Sequence, residues 1–284
     1  MKILIIGNFH HKNMIGLKLL LKETDFTYKF GNINEIIEFD IIYSPNIPID
    51  SSKFPNKKFI FGPHFSVFPD NRLLQINNIN NNSIYIQPSD WARDTWINMN
   101  AEIVLPIKTF SFPVEIDKFK PIENSKKNEI FVMFKQRNPK ELEYITKFLD
   151  KENINYKIFD YIKKYKEEDY IECLKNAKYG IWIGRHESQG FALEEALSYN
   201  IPLLVWEVRF MSQEFRSNYP NIYGSVIPYW DKRCGEYFYE ENQFKESYYK
   251  FINNLEIYRP REYILENLSP KKCAENFLDL INSF

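Results

Sequence analysis

The richest chemistry in this 284-residue chain lies in Gly184-Arg185-His186-Glu187-Ser188-Gln189-Gly190-Phe191-Ala192-Leu193-Glu194-Glu195-Ala196-Leu197. It follows the apolar run Gly180–Ile183 and precedes the run Ile201–Val205. The order is strand, loop, helix, strand. Ser188 can cap the helix Gln189–Tyr199, and Asn200 can end it in a left-handed conformation. At Gly190 a missing side chain lets backbone N–H groups approach a bulky anion. The first turn of a helix offers unpartnered N–H groups and the positive end of the dipole, which suits phosphate. Glu187 in the loop and Glu195 in the helix would repel that anion unless they contact something uncharged, and sugar hydroxyls fit. Two such acceptors could hold two hydroxylated rings on either side of a diphosphate. On residue chemistry alone, Glu187 as a capping aid and Glu195 as a solvated residue remain equal alternatives. Glu194 is expected to point to solvent.

These residues need a scaffold, and the apolar pattern supplies one. Strands are expected at Lys2–Ile6, Thr27–Phe30, Asp40–Tyr43, Lys58–Phe61, Ser83–Ile86 and Glu102–Leu105, then at Glu129–Phe134, Asn155–Phe159, Lys178–Ile183, Pro202–Trp206 and Ser225–Ile227. Helices are expected at Met14–Lys22, Ser89–Asn98, Pro139–Asp150, Glu167–Asn176, Gln189–Tyr199, Phe244–Asn254, Arg261–Asn267 and Pro270–Ile281. Continuous Ile/Val/Leu runs separated by helices indicate parallel strands covered on both faces. The fold class is therefore α/β, with two Rossmann-like doubly wound domains facing a cleft. The Pro-containing, charged stretch 111–128 reads as a linker between domains at 1–110 and 129–260, and 261–284 as C-terminal helices that can pack back on the first domain. The Asn-rich segment Asn77–Ser83 reads as a loop.

In such sheets ligands bind beyond the carboxyl ends of the strands. His10 and His11 follow the first strand, His64 the strand Lys58–Phe61, and His186 the strand Lys178–Ile183. All four histidines are expected on that rim, where packing or surface roles are the alternative for each.

Composition narrows the field. Lys+Arg 37 against Asp+Glu 38 gives a net charge of −1, without the basic excess a nucleic-acid binder or polybasic membrane protein needs. An aromatic fraction of 17% is incompatible with disorder. Cys173, Cys234 and Cys273 make neither a metal spacing nor a disulfide framework and read as reduced thiols. No run reaches the ~18 apolar residues of a membrane span, and Met1–Gly7 reads as a buried strand rather than a signal peptide. A reducing cytoplasm is expected. No D-x-D motif clusters carboxylates for a divalent cation, so no metal and no cofactor beyond the substrates is expected.

Glu187-Ser188-Gln189-Gly190-Phe191-Ala192-Leu193-Glu194-Glu195-Ala196 resembles the E-x7-E motif of retaining GT-B glycosyltransferases, particularly family 4. Phe112-Pro113-Val114-Glu115-Ile116-Asp117-Lys118-Phe119-Lys120-Pro121 is similar to that family's P-N-G-V-D-x-x-x-F-x-P segment. Tyr85–Trp91, Pro260-Arg261 and Cys273-Ala274 are also in its style. The resemblance implies a UDP-, GDP- or dTDP-sugar donor and a glycan or other hydroxyl acceptor, with retention at the anomeric carbon. It implies that Glu195 binds ribose, Glu187 the donor sugar, and the amides of Gly190 and Phe191 the distal phosphate, with His186, Ser188 and Gln189 beside them. It matches the family's basic pair to Lys135 and Lys140, with Arg137 as alternate, and these would stabilise the departing diphosphate. It matches the family's cleft histidine to His64, and its Gly-rich acceptor loop to Gly7, Asn8, His10 and His11. The Gly-Gly pair of that loop and the Gly before the basic pair are absent. Two alternatives are a nucleotide-sugar epimerase of the same architecture and an inactive sugar-nucleotide or glycan-binding module. A dinucleotide oxidoreductase lacks its G-x-G-x-x-G.

Overall fold

The computed structural model describes residues 1–64, 68, 79–101, 105–123 and 127–284. The chain divides into two compact units, Met1–Glu115 with Leu268–Phe284, and Ile116–Asn267. The division falls within the expected linker 111–128. It also splits the expected tail 261–284 between the units.

The first unit holds a six-stranded parallel sheet built from β1 (Lys2–Ile6), β2 (Thr27–Gly31), β3 (Ile41–Ser44), β4 (Lys58–Phe61), β5 (Ser83–Gln87) and β6 (Ile107–Thr109). Their spatial order is β2-β1-β3-β4-β5-β6, so the winding reverses between β1 and β3. Leu4, Ile6, Ile42, Phe59, Phe61, Tyr85 and Trp96 form one core cluster. The helices are α1 (His11–Lys22), α2 (Asp90–Asn98) and the C-terminal α8 (Pro270–Asn282). Ser269 caps α8 by accepting the Lys272 N–H (3.3 Å), with Pro270 at its start, as the sequence predicts.

The second unit holds a five-stranded parallel sheet of β7 (Glu129–Lys135), β8 (Lys157–Asp160), β9 (Ala177–Gly184), β10 (Leu203–Trp206) and β11 (Gly235–Phe238). The order is β11-β10-β9-β7-β8, and here the winding reverses between β7 and β9. Helices α3 (Pro139–Lys151), α4 (Glu167–Asn176), α5 (Phe191–Ser198), α6 (Phe244–Asn253) and α7 (Pro260–Asn267) accompany it. From α7, Arg261 donates to the carbonyls of Ser198 (2.7 Å), Phe119 (3.0 Å) and Ile116 (3.2 Å). It thereby ties the segment after Glu115 to the end of α5.

Two expected strands change. Ser225–Ile227 is not a strand; the edge strand is Gly235–Phe238. The buried Glu207 carboxylate takes the place of a strand partner, accepting from Val226 N (2.6 Å), Val208 N (2.8 Å) and Ser225 Oγ (3.1 Å). For the expected strand Glu102–Leu105, residues 102–104 lie outside the described residues, and the strand that is present follows Pro106. Residues 77–78 of the Asn-rich segment and 124–126 of the expected linker also lie outside them. Within the Asn-rich segment, Asn80 Nδ2 donates to the carbonyls of Phe54 (2.9 Å) and Lys57 (3.0 Å), so side-chain amides hold the loop.

Among the described residues, no helix is long and apolar enough to cross a membrane. The three cysteines are buried, and none is in a disulfide.

Candidate functional site

The winding reversal between β7 and β9 is where an open α/β sheet leaves a crevice at its carboxyl edge. Lys135 ends β7 directly opposite Gly184, which ends β9. The loop 185–190 leaves this point and enters α5. Arg185 N donates to Lys135 O (2.9 Å) and Glu187 N to Ser225 O (2.8 Å), which fix the loop backbone.

Gly190 is the N-cap of α5, with φ +95° and ψ 41°. This left-handed backbone is a conformation that glycine adopts and L side chains rarely do. A Cβ would meet Glu187 Cβ at 3.6 Å, an ordinary contact. The helix begins at Phe191, so the half-buried Ser188 does not cap it, and no side chain does. The first intrahelical bond is Glu194 N to Gly190 O (3.0 Å). The N–H groups of Phe191, Ala192 and Leu193 have no acceptor among the described residues. The other end is closed. Asn200, at φ +59°, donates its N–H to Leu197 O (2.9 Å), and Ile201 N donates to Ala196 O (3.2 Å), the paired bonds of a left-handed helix stop.

Lys135 Nζ lies 2.6 Å from Glu187 Oε1 and 4.7 Å from the centre of the Tyr161 ring. Glu195 is buried one turn into α5, and its negative field reaches the hydroxyls of Tyr165 and Tyr170. Burial first, then Glu195, pushes the Tyr165 hydroxyl up to about 12.

His186 is buried and packs edge-on against Tyr219 at 5.2 Å. Burial, with Arg185 beside it, lowers its imidazole to about 4, so it is neutral at pH 7. Glu214 lies 3.7 Å from its Nε2, accepts from Gln136 Nε2 (3.2 Å), and meets Arg185 Nη1 at 3.4 Å. Burial raises the Glu214 carboxyl despite Arg185.

Three expectations change here. Glu194 does not reach solvent: it is fully buried, its Oε2 accepts from the buried Gln189 Nε2 (3.2 Å), and its Oε1 has no partner among the described residues. Burial raises its carboxyl well above the usual range. The cause is the position of α5, whose residues Leu193 to Ser198 are all buried. Gln189 is thereby turned toward Glu194. Arg137, expected to bind the donor, is 1% exposed and turned inward. Its Nη1 donates to Gly184 O (3.0 Å) and Trp206 O (3.1 Å), and its Nη2 to Glu141 Oε1 (2.8 Å), so it locks strand ends together. Lys140 stands exposed on the first turn of α3, outside the Lys135–Glu187 pair.

The remaining residues lie on the carboxyl rim of the first unit's own sheet. Gly7, at φ +98°, and Asn8 follow β1, and Asn8 N donates to Asn46 Oδ1 (3.1 Å) beyond β3. His10 precedes α1, and its ring lies 4.5 Å from that of His11. His64 is half-buried after β4. Its N–H donates to Tyr85 OH (3.2 Å), and its ring lies 5.0 Å from that of Trp96.

With this geometry, likeness to known structures becomes informative. No protein-family model matches the sequence, and neither does any curated protein sequence. Among solved structures, TarM is similar at a TM-score of 0.53 and 16% identity over 86% of this chain. The GtfA/B complex is similar at 0.51 and 11% over 97%. The catalytic domain of starch synthase IV from Arabidopsis thaliana, bound to ADP and acarbose, is similar at 0.50 and 11% over 86%. The chain has the GT-B fold. It spans 55% of the TarM chain and 61% of the GtfA/B chain. The N-terminal domain of Candida albicans trehalose-6-phosphate phosphatase is also similar, at 0.63 and 10% identity, over 99% of this chain and 96% of that one.

Sequence reasoning missed Glu207, Glu214, Gln136 and Tyr165. Glu207 and Glu214 carry no motif; both lie in the irregular stretch after β10, where no periodicity marks a buried acid.

Proposed function

We propose that this chain transfers a sugar from a nucleotide-diphosphate sugar (UDP, GDP or dTDP) to a hydroxyl of a glycan or other acceptor, with retention and without a metal. The observation that carries the reading is the uncapped start of α5 beside the Lys135–Glu187 pair, at the winding reversal of a parallel sheet. In this reading the amides of Gly190 and Phe191 receive the distal phosphate, and Lys135 offsets the charge that grows on it as the sugar departs. Glu187 leaves Lys135 to accept from the sugar, and Glu195 accepts from ribose. His64, Gly7, Asn8, His10 and His11 belong to the acceptor side. The ADP in the starch synthase structure is consistent with a nucleoside diphosphate as the common element.

Melting the protein with UDP-, GDP- and dTDP-sugars tests the reading, since a donor at 100-fold its Kd stabilises by ~2.7 kcal/mol. Glu195→Ala should abolish the shift. If no nucleotide moves the melting temperature, the reading is wrong. The inward turn of Arg137, whose guanidinium is taken up by Glu141 and two carbonyls, favours one second reading: a module that binds the donor without transfer. Release of nucleoside diphosphate on adding acceptor separates the two.

A further inference from the structure

The loop 184–190 and the start of α5 rest against residues 224–226. A Cβ built on Gly224 would stand 3.1 Å from His186 Cβ, one on Gly184 3.0 Å from Val226 Cγ1, and one on Gly190 3.8 Å from Val226 O. Between these contacts Ser225 O accepts the Glu187 N–H (2.8 Å). The loop is thus backed at its beginning, middle and end. Residues 224–227 lie in no strand or helix, so no ladder holds them in place.

The buried Glu207 holds them instead. It follows β10 directly, and its N–H donates to Phe238 O (2.8 Å) at the end of β11, which roots its backbone in the sheet. Its Oε1 accepts from Val226 N (2.6 Å) and Val208 N (2.8 Å), and its Oε2 from Ser225 Oγ (3.1 Å). Ser225 Oγ in turn accepts from Ile227 N (3.0 Å). An ionised carboxylate only accepts, so it matches three converging donors. An amide in its place would turn an NH2 group toward donors and leave a buried group unmatched.

We infer that Glu207 is a positioning residue: through Ser225 and Val226 it sets the course of the loop 184–190, and so where the Glu187 backbone and the first turn of α5 meet a nucleoside diphosphate. It acts through those two residues rather than on the ligand. The inference rests on the proposed nucleotide-sugar site for the ligand, though not for the hold on the loop.

The test uses the full chain. Amide hydrogen exchange is followed by NMR without ligand, and UDP, GDP and dTDP are titrated by calorimetry. In Glu207→Gln the Glu187 amide should exchange about tenfold faster or more, while the amides of Val132 in β7 and Ile181 in β9 keep their parent rates. Ser225→Ala removes one of the three donors but keeps the carbonyl that Glu187 uses. It should give a smaller change in the same direction, and it decides the matter if Glu207→Gln does not fold. The nucleoside diphosphate that binds the parent should bind Glu207→Gln about tenfold more weakly. Phe251→Leu, a buried change in the core of the same unit, is the control for lowered stability and should alter neither readout. The inference is overturned if the Glu187 amide keeps its parent rate in both variants, or speeds up only together with Val132 and Ile181. It is also overturned if Glu207→Gln binds the nucleotide as the parent does, or if Phe251→Leu reproduces the effect. If no nucleotide binds the parent, the site reading falls, and exchange at Glu187 still upholds or overturns the hold of Glu207 on the loop.

Discussion

At the level of single residues, Glu194, Glu207, Glu214 and His186 are governed by burial more than by their partners. Glu194 is fully enclosed, with one hydrogen bond from Gln189 and one carboxyl oxygen unpartnered among the described residues. Its folded-state pKa is raised, so the folded protein keeps a proton that the unfolded chain releases above about 4.5. Stability from this group is therefore lost as pH rises from there toward the raised value. Glu194→Gln should raise the melting temperature at pH 7 and flatten its fall above pH 4.5. A variant that melts lower at pH 7 would show that the ionised carboxylate is needed. His186 acts in the opposite direction. Its imidazole is depressed from 6.5 to about 4, so the unfolded chain takes up the proton first. Stability is lost as pH falls from about 6.5 to about 4, by on the order of 3 kcal/mol. A non-titrating His186→Gln should show a weaker drop in melting temperature from pH 7 to pH 4.5 than the parent, measured with the same buffers.

At the level of elements, glycines with positive φ separate two kinds of demand. At Gly190 a Cβ finds space, and only the left-handed backbone objects. Gly190→Ala should cost about 1 kcal/mol and weaken nucleotide binding by shifting the start of α5. At Gly235, φ +138°, a Cβ would overlap the carbonyl oxygen of Leu203 on the neighbouring β10, which cannot yield without breaking the ladder. Gly235→Ala should cost at least ~3 kcal/mol. Chemical denaturation of both variants checks the contrast; equal losses would refute it. The same two glycines show what a sequence reveals. The strands Lys2–Ile6 and Lys58–Phe61 and the helix Glu167–Asn176 were legible to the residue, because unbroken apolar runs and helical spacing are local properties. Gly190 was legible as special, but its left-handed backbone was not. The edge strand Gly235–Phe238 was hidden by its Gly and Glu, while Ser225–Ile227 had strand composition but found the Glu207 carboxylate as its partner. The inward turn of Arg137 and the burial of Glu194 depend on neighbours distant in sequence, and no spacing announces them.

At the level of the whole molecule, the first unit is discontinuous and the second is a single stretch, Ile116–Asn267. The first unit therefore depends on a helix contributed by the far end of the chain. Along α8, Cys273, Ala274, Phe277, Leu280 and Ile281 recur at helical spacing and are buried. The Phe277 ring lies within 5.4 Å of Phe110, 6.4 Å of Phe26 and 6.5 Å of Tyr43, so one side chain joins three segments of the first unit. Phe277→Ala should cost about 3–5 kcal/mol through the cavity it leaves. Deleting residues 268–284 removes the whole apolar stripe and exposes Tyr43 and Phe110. The second unit loses none of its own elements in that deletion, and its sheet, the α5 start and the Lys135–Glu187 pair all lie within residues 116–267. The expected outcome is a truncated chain with one surviving cooperative transition, and an isolated 116–267 segment that melts at the same temperature. Native-state hydrogen exchange would then show amides of β7 and β9 protected while those of β1 and β3 exchange freely. Loss of protection in β9 as well would mean that the second unit cannot hold its site without the first.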